Sequence, residues 1–251
     1  MSFYGLLMNY YDDIFPLNPV TLNFLQKHFQ KHHATRILDL ACGSGNYSTA
    51  MAEKGFDVTG LDLDENMIEL AKKKIALRKE SKEAGLPHFV PGNMLYLSKH
   101  LREKFHGVFC IGNSLVHLDS DEKLKTGLNE AAGILKPGGV LIIQIVNYDR
   151  ILEQNIKELP PIVVKNKKVV FRRLYQYDKI NQVIHFTGEL SVEGKGSFRE
   201  TVPLIPLRRE KLHAILVDTG FTGLHYWGTF SEEPWKPDSS ATIVKATLSG
   251  N

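Results

Sequence analysis

The chain has 251 residues, of which 43% are hydrophobic and 24% are charged, and its formal net charge is +3 at pH 7. This composition is ordinary for a globular protein, and so small a net charge does not indicate a nucleic acid partner. The two cysteines, Cys42 and Cys110, form neither a disulfide framework nor a metal-ligand spacing. We therefore expect free thiols in a reducing compartment and no metal site.

The N-terminal segment lacks the basic and apolar regions of a signal peptide, and no uncharged run approaches the roughly 20 residues of a membrane span. We expect a cytoplasmic protein without a membrane partner. From about residue 18 to 155, short apolar runs alternate with helical periodicity. The apolar runs predict strands at 36–40, 56–63, 88–92, 107–114 and 140–146. The periodic segments predict helices at 46–55, 64–80 and 119–135, and KPGG predicts a turn at 136–139.

Apolar strands separated by helices predict a parallel sheet that is covered on both faces. After about residue 157 the pattern changes to strands joined by Asn, Lys and Gly turns, which predicts an antiparallel β flap at 158–206. A helix at 208–220 and two strands at 221–230 and 239–248 follow. We predict a single domain over 1–251, with an N-terminal helical cap at 1–34.

The stretch ILDLACGSGNYS, residues 37–48, joins a predicted strand to a predicted helix through Gly43 and Gly45. This is the outline of an adenosine-cofactor site, because the glycines admit a ligand against the turn and the helix amides face it. A tight turn without a ligand is the alternative. Ser48 stands where the dinucleotide fingerprint has its third glycine, which disfavours NAD.

Two acidic residues narrow the choice of cofactor. Asp39, at the end of the first strand, would repel a pyrophosphate but attract a cation. Asp62, at the end of the second strand, can accept the hydroxyls of an adenosine ribose. Its alternative role is to cap the next helix, for which Asp64 is better placed. A cationic cofactor with a ribose and no phosphate indicates S-adenosylmethionine.

The motifs DLACGSG, GLDLDENMIELA, GNM at 92–94 and LKPGGVLII at 135–143 resemble those of the class I S-adenosylmethionine-dependent methyltransferases. The resemblance covers roughly residues 35–155 and the last helix and two strands. It implies a Rossmann-like α/β fold with a central, mostly parallel seven-stranded sheet, helices on both faces and the antiparallel insertion before the last helix. The stretches CIGNSLVHLDSDEKL and VNYDRIL further resemble the glycine N-methyltransferase branch.

The glycine loop and the resemblance together give twelve expected cofactor-binding residues: Tyr10, Asp39, Ala41, Gly43, Gly45, Asp62, Leu63, Met67, Asn93, Met94, Ile111 and His117. Two catalytic candidates follow from the resemblance. Asn113 should face the transferred methyl and the substrate, and Tyr11 should lie near the sulfonium, because the N-terminal segment of the family covers the cofactor. The alternatives are helix packing for Tyr10, Tyr11 and Met67, and a core or capping histidine for His117.

One position departs from the glycine enzyme, in which an arginine directly before Asn-Tyr-Asp grips the substrate carboxylate. Val146 occupies that position here, and valine cannot form a bidentate clamp. Glycine is therefore not the expected substrate, and Arg172 or Arg173 on the flap is a candidate for a different clamp. As an alternative, both arginines lie on the solvated face of a strand.

We predict S-adenosylmethionine-dependent methyl transfer to a small-molecule acceptor, with nitrogen favoured as the acceptor atom. An RNA or protein methyltransferase and a non-catalytic S-adenosylmethionine-binding protein are the alternatives. An NAD-dependent oxidoreductase is disfavoured by Ser48 and Asp39. The sequence leaves open the identity of the acceptor and the oligomeric state.

Overall fold

The computed structural model describes residues 3–78 and 85–250. Its helices are α1 (Phe3–Ile14), α2 (Pro19–Lys31), α3 (Asn46–Glu53), α4 (Glu65–Arg78), α5 (Leu97–His100), α6 (Asp121–Ile134), α7 (Tyr148–Glu153) and α8 (Arg209–Asp218). The strands of the first half are β1 (Arg36–Leu40), β2 (Asp57–Asp62), β3 (His88–Pro91), β4 (Phe105–Cys110) and β5 (Leu135–Val146). The remaining strands are β6 (Glu158–Val164), β7 (Val169–Asp178), β8 (Val183–Val192), β9 (Gly196–Leu204), β10 (Phe221–Trp227) and β11 (Ala241–Leu248).

The central sheet has seven strands in the order β10-β11-β5-β4-β1-β2-β3. Strands β1 to β5 pair in parallel, whereas β11 is antiparallel to both β5 and β10. The chain moves outward from β1 through β2 to β3 and then returns to β4 on the other side of β1. This reversal leaves a crevice at the carboxyl ends of β1 and β4, where ligands of open α/β sheets bind. The predicted mostly parallel, seven-stranded sheet is confirmed.

Helices cover both faces of this sheet because its strands are apolar on both sides. On one face, Phe29 of α2 packs against Gly107 of β4. A Cβ at residue 107 would stand 2.4 Å from Cε1 of Phe29. On the other face, Leu124 and Leu128 of α6 belong to the same buried cluster as Leu38 of β1. In the described residues, no helix is long and apolar enough to cross a membrane.

Strands β6 to β9 form a second, four-stranded antiparallel sheet in sequence order, which we call the flap. It precedes α8, so the predicted insertion before the last helix is confirmed. Helix α1 contacts the flap: its Phe3 and Leu6 share a buried cluster with Val169 and Phe171 of β7. The division of the chain into a cap at 1–34 and a domain over 1–251 stays a prediction, and residues 1, 2 and 251 lie outside the described residues.

Several predicted boundaries differ from those in the structure. The turn predicted at 136–139 lies inside β5. The strand accommodates these residues through the positive φ of 77° at Gly138 and through a shift in the pairing register between β4 and β5. The strand predicted at 107–114 is β4, which ends at Cys110 because Gly112 and Asn113 have positive φ values. The helix predicted at 64–80 begins at Glu65, and its residues 79 and 80 lie outside the described residues.

Candidate cofactor and substrate site

The glycine loop after β1 has a backbone that ordinary side chains would not tolerate. Gly43 and Gly45 have φ values of 54° and 76°. A Cβ at residue 43 would stand 2.9 Å from Oη of Tyr11, and a Cβ at residue 45 would stand 2.4 Å from Cζ of Phe89. Positive φ and close approach both require glycine. Gly45 therefore serves the packing of the loop onto β3, and Gly43 lies directly beneath the ring of Tyr11.

A polar network holds α1 over this loop. The carboxylate of Asp12 accepts hydrogen bonds from the hydroxyl of Ser44 and from Nδ2 of Asn46, the latter at 2.9 Å. Lys74 of α4 donates to the other carboxylate oxygen at 2.6 Å. Because Asp12 follows Tyr11 in the helix, these bonds fix Tyr11 against the loop. Burial, with the nearby carboxylates, raises the pKa of Tyr11, which therefore stays protonated.

Asp62 ends β2 beside the glycine loop. Its Oδ2 accepts a hydrogen bond from the backbone N–H of Gly43 at 2.7 Å, and its Oδ1 accepts one from that of Asp64 at 2.9 Å. A carboxylate oxygen can accept two hydrogen bonds, so each oxygen retains a free acceptor position. Asp64 in turn accepts from the backbone N–H of Asn66 at 2.8 Å, which gives it the capping role at the start of α4. Burial raises the pKa of Asp62.

Asp39 is a buried carboxyl group in β1, with 3% of its surface exposed. Its Oδ2 accepts a hydrogen bond from the hydroxyl of Ser48 at 2.6 Å. Burial raises the pKa of Asp39 to about 7, and the nearby charge of Asp62 acts in the same direction. Ser48, which stands where the dinucleotide fingerprint has its third glycine, thus donates a hydrogen bond to the carboxyl group of Asp39. A cation placed nearby would favour its ionised form.

The loop after β4 is tied to β5 and α7 by its polar groups. The backbone N–H of Gly112 donates to Oε1 of Gln144 at 2.7 Å. The side chain of Asn113 accepts from the backbone N–H of Val146 at 2.9 Å and donates to the hydroxyl of Tyr148 at 3.0 Å. Both ends of the Asn113 amide are therefore engaged. These bonds stabilise the positive φ of 71° at Asn113 and fix the rim of the crevice.

Two cavities meet at this crevice. The first, of 570 Å³, lies between the N-terminal helices and the ends of β1, β4 and β5, and four of the expected residues line it: Tyr11, Asp39, Ala41 and Ile111. The second, of 390 Å³, lies beneath the flap, and six of the expected residues line it: Tyr11, Gly43, Asp62, Met67, Asn113 and His117. Tyr11 and Gly112 line both cavities. Burial lowers the pKa of His117, so its imidazole is neutral at pH 7.

Five of the expected site residues line neither cavity. Tyr10 points to the flap, where its hydroxyl accepts a hydrogen bond from Nζ of Lys195 at 3.3 Å. Leu63 is 70% exposed. The side chain of Asn93 caps a short 3-10 helix after β3, and Met94 packs against the core. Gly45 is the fifth, packed on β3 as described above. For these residues a role in cofactor binding stays a prediction without support from the geometry.

Sequence reasoning missed most of the flap residues that line the second cavity. These are Phe171, Tyr175, Phe186, Gly188, Glu200 and Val202. The available signal was the alternation of β7 and β8, in which every second side chain faces the same side. Without knowing which side faces the central sheet, that signal identifies two sets of residues and does not choose between them.

The comparisons with known proteins agree with this geometry. A family model described as a methyltransferase domain matches residues 37–139. The glycine/sarcosine N-methyltransferase of Aphanothece halophytica is 30% identical over 217 residues, which cover 83% of this chain and 74% of that protein. The chain belongs to the class I S-adenosylmethionine-dependent methyltransferases. Its cofactor is accordingly S-adenosylmethionine, and the predicted activity class is confirmed.

This methyltransferase lies near the glycine N-methyltransferase branch, as its motifs predict. It is 35% identical to the glycine N-methyltransferase of Rattus norvegicus over 131 residues, which cover 49% of this chain and 44% of the rat protein. The crystal structure of an S-adenosylmethionine-dependent methyltransferase from Clostridium acetobutylicum has the same fold. The two structures share a TM-score of 0.81 over 98% of this chain and 99% of that chain, at 19% sequence identity.

Proposed function

We propose that this methyltransferase transfers the methyl group of S-adenosylmethionine to the nitrogen of a small-molecule amine. The observation that carries the proposal is the cavity of 390 Å³ beneath the flap. It extends from Asp62 at the end of β2 to Asn113 at the end of β4, and its size suits a small molecule. Nitrogen as the acceptor atom is supported by the relatives, whose names describe N-methyltransferases.

The described residues fit the cofactor at the crevice. In the proposal, the free acceptor positions of Asp62 receive the two ribose hydroxyls, and Asp39 faces the cationic end across the first cavity. Ala41 and Ile111 line that cavity, whereas Met67 lines the second one beside Asp62. When bound, S-adenosylmethionine supplies a methyl group that is activated by its sulfonium. His117, being neutral, adds no charge that opposes the sulfonium.

The remaining task of the protein is to orient the acceptor and exclude water. The neutral amine uses its lone pair to form the new N–C bond while the C–S bond breaks and its electron pair passes to sulfur. The surplus proton then leaves the nitrogen for solvent, so the transfer requires no dedicated base. In the proposal, Asn113 and Gly112 position the acceptor, and the buried ring of Tyr11 closes the crevice between the two cavities.

The pKa of Asp39 predicts how cofactor binding depends on pH. A neighbouring cation favours the ionised carboxylate, so binding releases the proton that Asp39 retains below its pKa of about 7. We expect the affinity for S-adenosylmethionine to rise several-fold from about pH 6 to about pH 8, where the carboxylate is already ionised. Calorimetry with Asp39→Asn should show no such rise, and adenosine, which has no cation, serves as the control ligand. A rise that survives in Asp39→Asn would contradict the assignment of Asp39.

The acceptor class is tested by measuring S-adenosylhomocysteine formation with panels of small amines, phenols, RNA and unfolded protein. We expect turnover with at least one class of small amine and none above background with the macromolecules. Turnover of phenols or RNA alone would contradict the proposal. Binding of S-adenosylmethionine without turnover of any panel would indicate a cofactor-binding protein.

A cytoplasmic location is part of the proposal and is supported by the two free cysteines.

A further inference from the structure

The two arginines of β7 lie on opposite faces of the flap. Arg172 lies on the outer face, where its guanidinium donates two hydrogen bonds to Glu158, at 2.8 and 2.7 Å, and one to Glu189 at 3.4 Å. Its donors are therefore occupied by carboxylates of the flap itself. Arg173 lies on the inner face with Phe171 and Tyr175, because alternate residues of a strand face the same side.

Arg173 has unused hydrogen-bonding capacity. Its Nη2 donates to the carbonyl oxygen of Pro160 at 2.9 Å. Its Nε is buried and has no hydrogen-bond partner. A buried donor without a partner is costly, and such groups call for a ligand or a functional explanation. Among the described residues that line the cavity beneath the flap, Arg173 is the only Arg or Lys.

The cross-strand pairing of the flap places a carboxylate, that of Glu200, on the same row as Arg173. Arg173 pairs with Gly188 of β8, and Gly188 pairs with Glu200 of β9. The Cα atoms of Arg173 and Glu200 are thus about 10 Å apart, two strand spacings. The ring of Phe3 lies over the glycine between them, where a Cβ at residue 188 would stand 2.9 Å from Cζ of Phe3. Arg173 and Glu200 both line the cavity. Asp62 and Asp64 line the cavity as well, so its described lining carries three carboxylates.

Apolar side chains form the rest of the wall on this side of the cavity. They are Phe3, Leu7, Val146, Phe171, Phe186 and Val202. Val146 ends β5, and its backbone N–H donates a hydrogen bond to the side chain of Asn113. The cavity thus combines one guanidinium, an apolar wall and several carboxylates that repel multiply charged anions.

We propose that Arg173 binds a carboxylate of the methyl acceptor, and that the acceptor is an amino acid with an apolar side chain. This inference rests on the proposed function, which supplies the amine. A guanidinium recognises a carboxylate through paired N–H donors, and the free Nε of Arg173 is one such donor. A phosphate dianion is disfavoured because it would face several carboxylates with a single cation. The apolar wall accounts for a side chain larger than that of glycine.

The carboxylate site is tested by equilibrium binding, which does not depend on turnover. The probes are phenylacetate and phenylacetamide, titrated into protein saturated with S-adenosylhomocysteine. We expect the wild-type protein to bind phenylacetate at least about tenfold more tightly than the amide, from the worth of a charged hydrogen bond. In Arg173→Gln the two probes should bind equally. Arg172→Gln, the matched control on the other face, should retain the wild-type preference. Equal binding of both probes by the wild-type protein would overturn the inference.

A second measurement uses turnover and separates this inference from the proposed function. Phenylalanine and phenethylamine differ in the carboxylate, and we expect Arg173→Gln to raise KM for the former by about tenfold or more while leaving the latter unchanged. Arg173→Lys should recover part of the loss, because it restores the charge but not the paired donors. If amines are methylated equally well with and without the carboxylate, the inference fails and the proposed function stands. If Arg173 controls carboxylate binding but no amine is methylated, the proposed function fails instead.

Discussion

Replacing Asp62 with alanine should weaken the binding of S-adenosylmethionine by about 100-fold or more. In our account the two carboxylate oxygens receive the ribose hydroxyls while they also hold the N–H groups of Gly43 and Asp64. Hydrogen bonds to a charged group are worth about 1.5–3 kcal/mol each, so two of them give at least this loss. Isothermal titration calorimetry with the wild-type and variant proteins measures the change directly.

The matched control for this substitution lies on the same strand. Asp57 begins β2, at the end remote from the crevice, and its carboxylate pairs with Arg36 at 2.6 Å on the exposed surface. Asp57→Ala should leave the affinity for S-adenosylmethionine unchanged. Asp62→Asn, which keeps the shape of the side chain, should fall between the wild-type and alanine proteins. An Asp62→Ala protein that is folded and binds the cofactor normally would contradict our placement of the ribose.

Gly45→Ala should lower the free energy of unfolding by about 2–4 kcal/mol. A left-handed backbone costs an alanine about 1 kcal/mol, and overpacking costs about 1–3 kcal/mol more. Both apply here, because Gly45 has a φ of 76° and its Cβ would stand 2.7 Å or less from two ring atoms of Phe89. Urea denaturation followed by circular dichroism measures the difference as a lower midpoint.

The control for Gly45 separates the two contributions. Gly55 also has a positive φ, of 89°, but nothing lies within 4 Å of the position that its Cβ would take. Gly55→Ala should therefore cost only the backbone contribution of about 1 kcal/mol. If the two variants are destabilised equally, the contact with Phe89 does not explain the glycine at residue 45.

The parallel sheet and the glycine loop could be predicted because their signals are local. The apolar runs of β1, β2, β4 and β5 are each contiguous in sequence, and doubly buried strands of this kind occur in parallel sheets. The loop is also contiguous, and Asp62 follows it at the end of the next strand. Asp39, Gly43 and Asp62 could thus be identified as neighbours from the order of the strands alone.

Other parts of the site depend on how distant elements dock, which the sequence pattern does not reveal. Tyr10 and Tyr11 are adjacent in one helix. Only the docking of α1, through the bond between its Asp12 and Ser44 and through its contact with the flap, decides that Tyr11 faces the loop. Arg172 and Arg173 are likewise adjacent on β7, and the sequence does not show which of them faces the crevice. Only the position of the flap over the crevice decides this. The bonds of Asn113 to Val146 and Tyr148 likewise join residues that are 33 and 35 positions apart in the sequence.

A crystal structure of the protein with S-adenosylhomocysteine would test the account most directly. We predict that both ribose hydroxyls lie within hydrogen-bond distance of the Asp62 carboxylate. We also predict that the sulfur atom lies beside Gly112 and faces the cavity beneath the flap, which Asn113 and Arg173 line. A ribose bound away from Asp62, or a sulfur atom that faces away from this cavity, would contradict the account.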